Sequence, residues 1–193
     1  MMTLPNLSWK LFELSFWLLQ GLRVTDLYEW LARQVKAHRP LNQNERFLAK
    51  YIYGDCIDLD KVRIDEAARF GPRQYSLCYV SFNIINSWGS MKDDILVHEL
   101  VHVWQYQHFG AVYIPRALWA QGTREGYNYG GIEALLVAKK TGKKFWEFNY
   151  EQQGDIVSDY FRISQGWQPR WGNANIDDLD TYEYFLDQMR TCR

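Results

Sequence analysis

Cysteine is scarce. Cys56, Cys78 and Cys192 are the only three in 193 residues, and none stands in a C-x-x-C pair. So few cannot build a disulfide framework, and their spacing excludes a cysteine zinc knuckle. A reducing compartment is the expectation. A surplus of charge is missing too: Lys plus Arg total 22 against 23 for Asp plus Glu, a formal net charge of -1. A general nucleic-acid binder needs a basic excess to neutralise phosphates, so nucleic acid is not an expected partner. Long apolar runs are absent. The stretch Leu14 to Leu19 is bracketed by Glu13 and Gln20, too short for a transmembrane span and without a small-residue cleavage pattern after it. The start, Met-Met-Thr-Leu-Pro, has no basic n-region. A cytoplasmic protein is expected, with export by a machine that reads no signal peptide left open. There is no internal repeat and no low-complexity tract.

Aromatic residues, by contrast, are abundant. Nine Trp, 13 Tyr and 10 Phe make up 17% of the chain. That content argues against disorder, and the length suits one globular domain with a core of its own.

Leu11, Leu14, Leu18, Leu22, Leu27, Trp30 and Leu31 recur at helical spacing, interrupted by Gly21 and Thr25-Asp26. Residues 1–40 therefore read as an N-terminal helical segment packed on the body, and 41–193 as the main domain. A helix is expected from Leu41 to Tyr53. Strands are expected at Lys61–Ile64 and Ser76–Ile85, which are rich in β-branched and aromatic residues. Ser90-Met-Lys-Asp93 has the form of a helix start and opens a long helical pattern to Phe109-Gly110. Residues 111–130, with Pro115, Gly122, Gly126 and Gly130, read as loop. Helices follow at Ile132–Lys140, Tyr150–Ser164 and in the acidic tail Asp177–Arg190. Helices, then a small sheet, then helices is an α+β layout.

The chemistry sits in Ile95-Leu-Val-His-Glu-Leu-Val-His-Val-Trp104, which contains H-E-x-x-H at His98, Glu99 and His102. Histidines at i and i+4 stand one turn apart on one helix face and can share one Zn²⁺. Glu99, beside the first ligand, is placed as general base toward a water that the metal acidifies. A chance pattern on a buried helix is the competing reading. Against it, the motif takes half of the chain's four histidines and is embedded in apolar residues.

A catalytic zinc needs a third protein ligand. His108 has the metzincin spacing, but Gln105 replaces the glycine that turns that chain back. On an unbroken helix His108 falls about 100° off the ligand face. Glu151 is the stronger candidate. It stands one turn before Asp155, so both carboxylates share a helix face. Asp155 is suited to hold the outer nitrogen of a ligand histidine, and Gly154 opens room for two helices to approach. A solvated acidic face is the plain alternative for the pair, and Glu133 is the next ligand candidate. Tyr127 and Tyr129, in a glycine-bracketed loop between the ligand helices, are candidate phenol donors to a developing oxyanion.

With these residues in view, the sequence resembles a known family. His98-Glu-Leu-Val-His102-Val-Trp-Gln105, preceded by Tyr53-Gly-Asp-Cys-Ile-Asp-Leu-Asp-Lys-Val-Arg-Ile64, is similar to the metallopeptidase core domain found with bacterial contractile injection systems. It is especially similar to short Vgr-related or Rhs-associated proteins, and Phe148 to Phe161 fits the same group. The resemblance covers about residues 41–165. It implies a zincin-like fold with a gluzincin-type glutamate ligand, a polypeptide substrate, and a secretion-system partner or context, as effector or accessory factor. The gap from His102 to Glu151 is longer than in many gluzincins and calls for an insertion around 111–145. A rival expectation is a latent or non-catalytic adaptor that docks its partner through helices 1–40.

Overall fold

The computed structural model describes residues 7–34, 38–69, 71–75 and 77–191. Helices α1 (Leu7–Gly21) and α2 (Val24–Arg33) come first, then strand β1 (His38–Pro40) and α3 (Gln43–Tyr53). Next are β2 (Arg63–Asp65), a short α4 (Pro72–Tyr75), β3 (Tyr79–Ser81) and β4 (Ile84–Asn86). The rest is helical: α5 (Asp93–Phe109), α6 (Tyr113–Gln121), α7 (Gly131–Thr141), α8 (Tyr150–Ser164) and α9 (Leu179–Arg190). The layout is α+β with a small mixed sheet, as the element order implies.

The sheet has the order β1-β2-β4-β3, with β2 and β4 parallel and both outer pairs antiparallel. Ile64 and Val80 both register on Ile85, so the buried face is a row of branched aliphatic side chains. Two expectations change here. The stretch Ser76–Ile85, expected as one strand, is a hairpin turned at Phe82-Asn83, with Ser76 outside the described residues. Phe82 takes a left-handed φ of 62°. Tyr113 of α6 clamps the turn, its hydroxyl donating to Val80 O at 2.7 Å and accepting from Phe82 N at 3.3 Å. Alternation alone cannot register such a clamp, because Tyr113 lies far along the chain. In addition, β1 joins the sheet at residues 38–40, before the boundary expected at 40.

Helix α5 is the centre of the packing. It starts at Asp93 rather than Ser90, with Lys92 as N-cap and no side-chain cap bond; Asp93 and Asp94 in its first turn complement the helix dipole. Ten consecutive residues, Leu96 to Gln105, are buried. It touches β3 and β4, α3, α6 and, most extensively, α8. Leu100, fully buried, contributes on the order of 1.5–3 kcal/mol through burial. The region expected as loop at 111–130 contains α6, with Pro115 tolerated in its first turn. Helices α6 and α7 fill the long gap between α5 and α8.

The N-terminal hairpin is less embedded than the periodicity suggests, since α1 buries none of its residues. It is attached at points: Gln20 Oε1 accepts from Ala111 N at 2.8 Å, Glu13 pairs with Arg116 at 3.3 Å, and Trp9 meets Trp119 edge to face. Cys56 is disulfide-bonded, which the expected reducing compartment did not suggest, while Cys78 is free. Three cysteines are too few for a framework but enough for one bridge.

Candidate metal centre

Helix α8 owes its start to Asn149, whose side chain accepts from Glu151 N and Gln152 N while Gln152 reaches back to Asn149 N. This reciprocal cap is worth about 1 kcal/mol and fixes the first turn, which carries Glu151. The same two residues tie down the preceding loop: Asn149 Nδ2 donates to Gly126 O at 2.9 Å and Gln152 Nε2 to Asn128 O at 2.8 Å. Tyr127 is thereby held beside the ligand helices.

Gly154 lets α8 approach α5. A Cβ there would stand 2.5 Å from His98 Cε1, so any larger residue would strike the imidazole. The approach brings Glu151 Oε2 within 3.3 Å of His98 Nε2 and 3.5 Å of His102 Nε2. These three residues form a group whose ligand atoms all lie within 4.8 Å of one another. Two donors bound tetrahedrally at about 2.0–2.1 Å would stand about 3.4 Å apart, so the spacing suits a zinc-sized cation. Glu151 is 1% exposed and both histidines are nearly buried.

The outer nitrogens are held as a metal site requires, though by unlike partners. His98 Nδ1 lies 2.9 Å from Asp155 Oδ1. His102 Nδ1 lies 2.8 Å from Gln105 Oε1, and the Gln105 amide is oriented in turn by Tyr150 O at 2.9 Å and Gln153 Oε1 at 3.0 Å. With both Nδ1–H groups donating, both Nε2 atoms face Glu151. Gln121 Nε2 donates to the other Glu151 oxygen at 2.9 Å.

Electrostatics follow from burial and this crowding. Burial alone would lower both histidines, but Asp155 and Glu151 hold His98 well above its ordinary value, and Glu151 raises His102. Burial would raise Glu151, yet His102 and His98 outweigh it and hold the carboxyl well below the usual range. A bound dication would take the place of those protons. Glu99 goes the other way. Burial raises it against the pull of the two histidines, and its Oε2 is buried with no hydrogen-bond partner.

The remaining candidates separate cleanly. Tyr127 is half-buried with its ring centroid 5.9 Å from that of His98. Tyr129 is not turned to the site: its hydroxyl donates to Asp159 at 2.7 Å and meets the Tyr182 hydroxyl at 2.8 Å. A buried phenol takes the nearest acceptor, and here that is a carboxylate one turn beyond Asp155 on α8. His108 stands outside the group, stacked on Trp104 with Nδ1 2.9 Å from Trp104 O, and Glu133 is exposed on α7. Sequence reasoning missed Gln105 as a support. Its signal was available, since it lies one turn after His102, but it stood out only as the residue in place of the metzincin glycine. Gln121 and Trp171, which touches Asp155, carried no local signal.

No protein-family model matches the chain. It is 31% identical over 138 residues to the type VI secretion system spike protein VgrG2b of Pseudomonas aeruginosa. The match covers 65% of this chain and 13% of that protein, so this chain corresponds to a small part of it. Among solved structures it is similar to the effector domain of Pseudomonas aeruginosa VgrG2b, at a TM-score of 0.46 and 21% identity, over 89% of this chain and 97% of that one.

Proposed function

We propose that this chain is a zincin-like, zinc-dependent peptide hydrolase of the gluzincin type that works as an effector or accessory domain of a type VI or related secretion system. The observation that carries the chemistry is the convergence of His98, His102 and Glu151 beside Glu99, whose Oε2 is buried with no hydrogen-bond partner. Zinc held there would lower the pKa of water toward neutrality and polarise a peptide carbonyl. The chain's own residues do the rest. Glu99, raised by burial, is a stronger base than a solvated glutamate; it takes a proton from the attacking water and returns it to the leaving amine. Asp155 and Gln105 hold the two imidazoles in one tautomer. Tyr127, whose ring centroid lies 5.9 Å from that of His98, is the candidate phenol to stabilise charge developing on the carbonyl oxygen.

The secretion context rests on the likeness to the VgrG2b spike protein. It agrees with the disulfide at Cys56, a bond that persists in oxidising compartments outside the cytoplasm. No described helix is long and apolar enough to cross a membrane.

One observation favours an adaptor role instead: α1 and α2 expose Leu7, Leu11, Leu18 and Trp30 by more than half of each surface. Glu99→Gln separates the two readings. The purified chain should carry about one zinc, and the variant should keep it while losing cleavage of a peptide library. A wild-type chain that binds zinc but cleaves nothing favours the adaptor; one that binds no zinc removes the enzyme reading.

A further inference from the structure

The histidines lean on α8, and α8 in turn supports a later segment. Glu151 and Asp155 are followed on the same helix face by Asp159, a third acid one further turn along. Asp159 is fully buried. Its carboxylate accepts from Arg170 N at 2.5 Å, Trp171 N at 3.1 Å and the Tyr129 hydroxyl at 2.7 Å. Two backbone donors on one carboxylate fix the local course of the chain at 170–171 against α8.

A second contact pins the same segment from another side. Gly131, at φ 70°, and Gly172, at φ 75°, press backbone to backbone. A Cβ built on Gly131 would lie 3.0 Å from Gly172 Cα. Held at both points, Trp171 aims its indole Nε1 at Asp155 Oδ2, 2.5 Å away, while Asp155 Oδ1 faces His98 Nδ1 at 2.9 Å. Arg170 adds a longer contact of 3.4 Å to Oδ1 from a half-exposed side chain.

The chemistry of the indole makes this arrangement specific. An indole N–H donates only; it cannot take up a proton and cannot bind a cation. Asp155 is 1% exposed, so bulk solvent does not reach its second oxygen. With Oδ2 occupied by Trp171, the carboxylate plane is set and Oδ1 is directed at the imidazole.

We infer that Trp171 is a positioning residue of the metal centre: its indole N–H, set in place by Asp159, orients the Asp155 carboxylate so that His98 Nε2 points at the metal. The inference rests on the metal-centre reading above. Sixteen residues separate Asp155 from Trp171, and the turn that joins them is what the Asp159 clamp supplies.

The test is a double-mutant cycle on the full chain, with zinc affinity read by competition against a chromogenic chelator. Trp171→Phe keeps a ring and removes the N–H. It should weaken zinc binding about tenfold, the low end for loss of a supporting partner. In an Asp155→Ala background the same change should cost less than about twofold, because the path it acts through is gone. A merely structural role for Trp171 predicts the same loss in both backgrounds. That outcome overturns the inference, as does wild-type-like zinc binding by Trp171→Phe. If Trp171→Phe does not fold, Asp159→Asn decides in the same cycle, with a loss of zinc affinity expected only when Asp155 is present. A wild-type chain that binds no zinc overturns the metal-centre reading itself, a failure distinct from that of the positioning role.

Discussion

Gly154→Ala tests whether the closeness of α5 and α8 serves the metal centre. The added methyl carbon would stand 2.5 Å from His98 Cε1, 2.7 Å from Nδ1 and 2.8 Å from Nε2. Carbon atoms reach ordinary contact at about 3.5 Å, so the ring must retreat by about 1 Å or α8 must move as far. Metal–ligand distances tolerate only about 0.2 Å. Stability and binding should therefore respond differently. In the metal-free protein, alanine gains about 0.8–1 kcal/mol over glycine within a helix, against about 1–3 kcal/mol for overpacking. The net destabilisation expected is about 0–2 kcal/mol, read from urea unfolding in the presence of EDTA. Zinc affinity should fall by more than about 100-fold, beyond the range for losing an outer support, because a ligand itself is displaced. Chelator competition at constant pH measures it. A variant that binds zinc within about threefold of wild type, well short of even an outer-support loss, would refute the reasoning, because the imidazole would then have room the geometry denies it.

Other outcomes are expected on the same footing. Glu151→Ala should lose zinc affinity by more than about 100-fold in the same competition, whereas His108→Ala should leave it unchanged, its ring being stacked on Trp104. Removing zinc should lower the melting temperature: free zinc at about 100 times Kd stabilises by about 2.7 kcal/mol, or roughly 5–10 °C for a domain of this size, read by thermal scans with and without EDTA. The Arg39 hydrogen bond holds Glu66 below the ordinary glutamate range. Because that folded value is depressed, the contribution is complete above the unfolded value of about 4.3 and is lost as pH falls through the folded one. Arg39→Gln should flatten that acid-limb loss by less than about 1 kcal/mol, since the pair is partly exposed, as read from urea midpoints at neutral and acid pH.

Much of the centre was legible because helices carry information at fixed spacing. One turn separates His98 from His102 and Glu151 from Asp155, and both pairs remain on one face whatever the rest of the fold does. Gly154 was legible for the same reason, as a missing side chain beside that face. Helices α3, α7, α8 and α9 fall within a few residues of their periodic patterns. Helix α6 did not, because its proline and glycines speak for loop, while burial of Tyr113, Ala117 and Ala120 against its neighbours outweighs them.

The sequence by itself determined that two helices would each present a pair of donors, that Glu99 would sit between the histidines, and that the layout would be α+β. These follow from local periodicity and composition. The spacing to Asp155 favoured Glu151 over His108 and Glu133, but only the tertiary structure brought one of the three to the histidines, by setting α8 against α5. It also decided the fates of the two tyrosines: Tyr127 is tied beside His98 by the cap of α8, and Tyr129 is drawn off by Asp159 and Tyr182. Gln105 and Trp171 became supports of the histidines in the same way, the latter across sixteen residues of chain. Such hydrogen bonds depend on where distant segments meet, and the free energy that brings them together is burial of apolar surface, which carries no direction of its own.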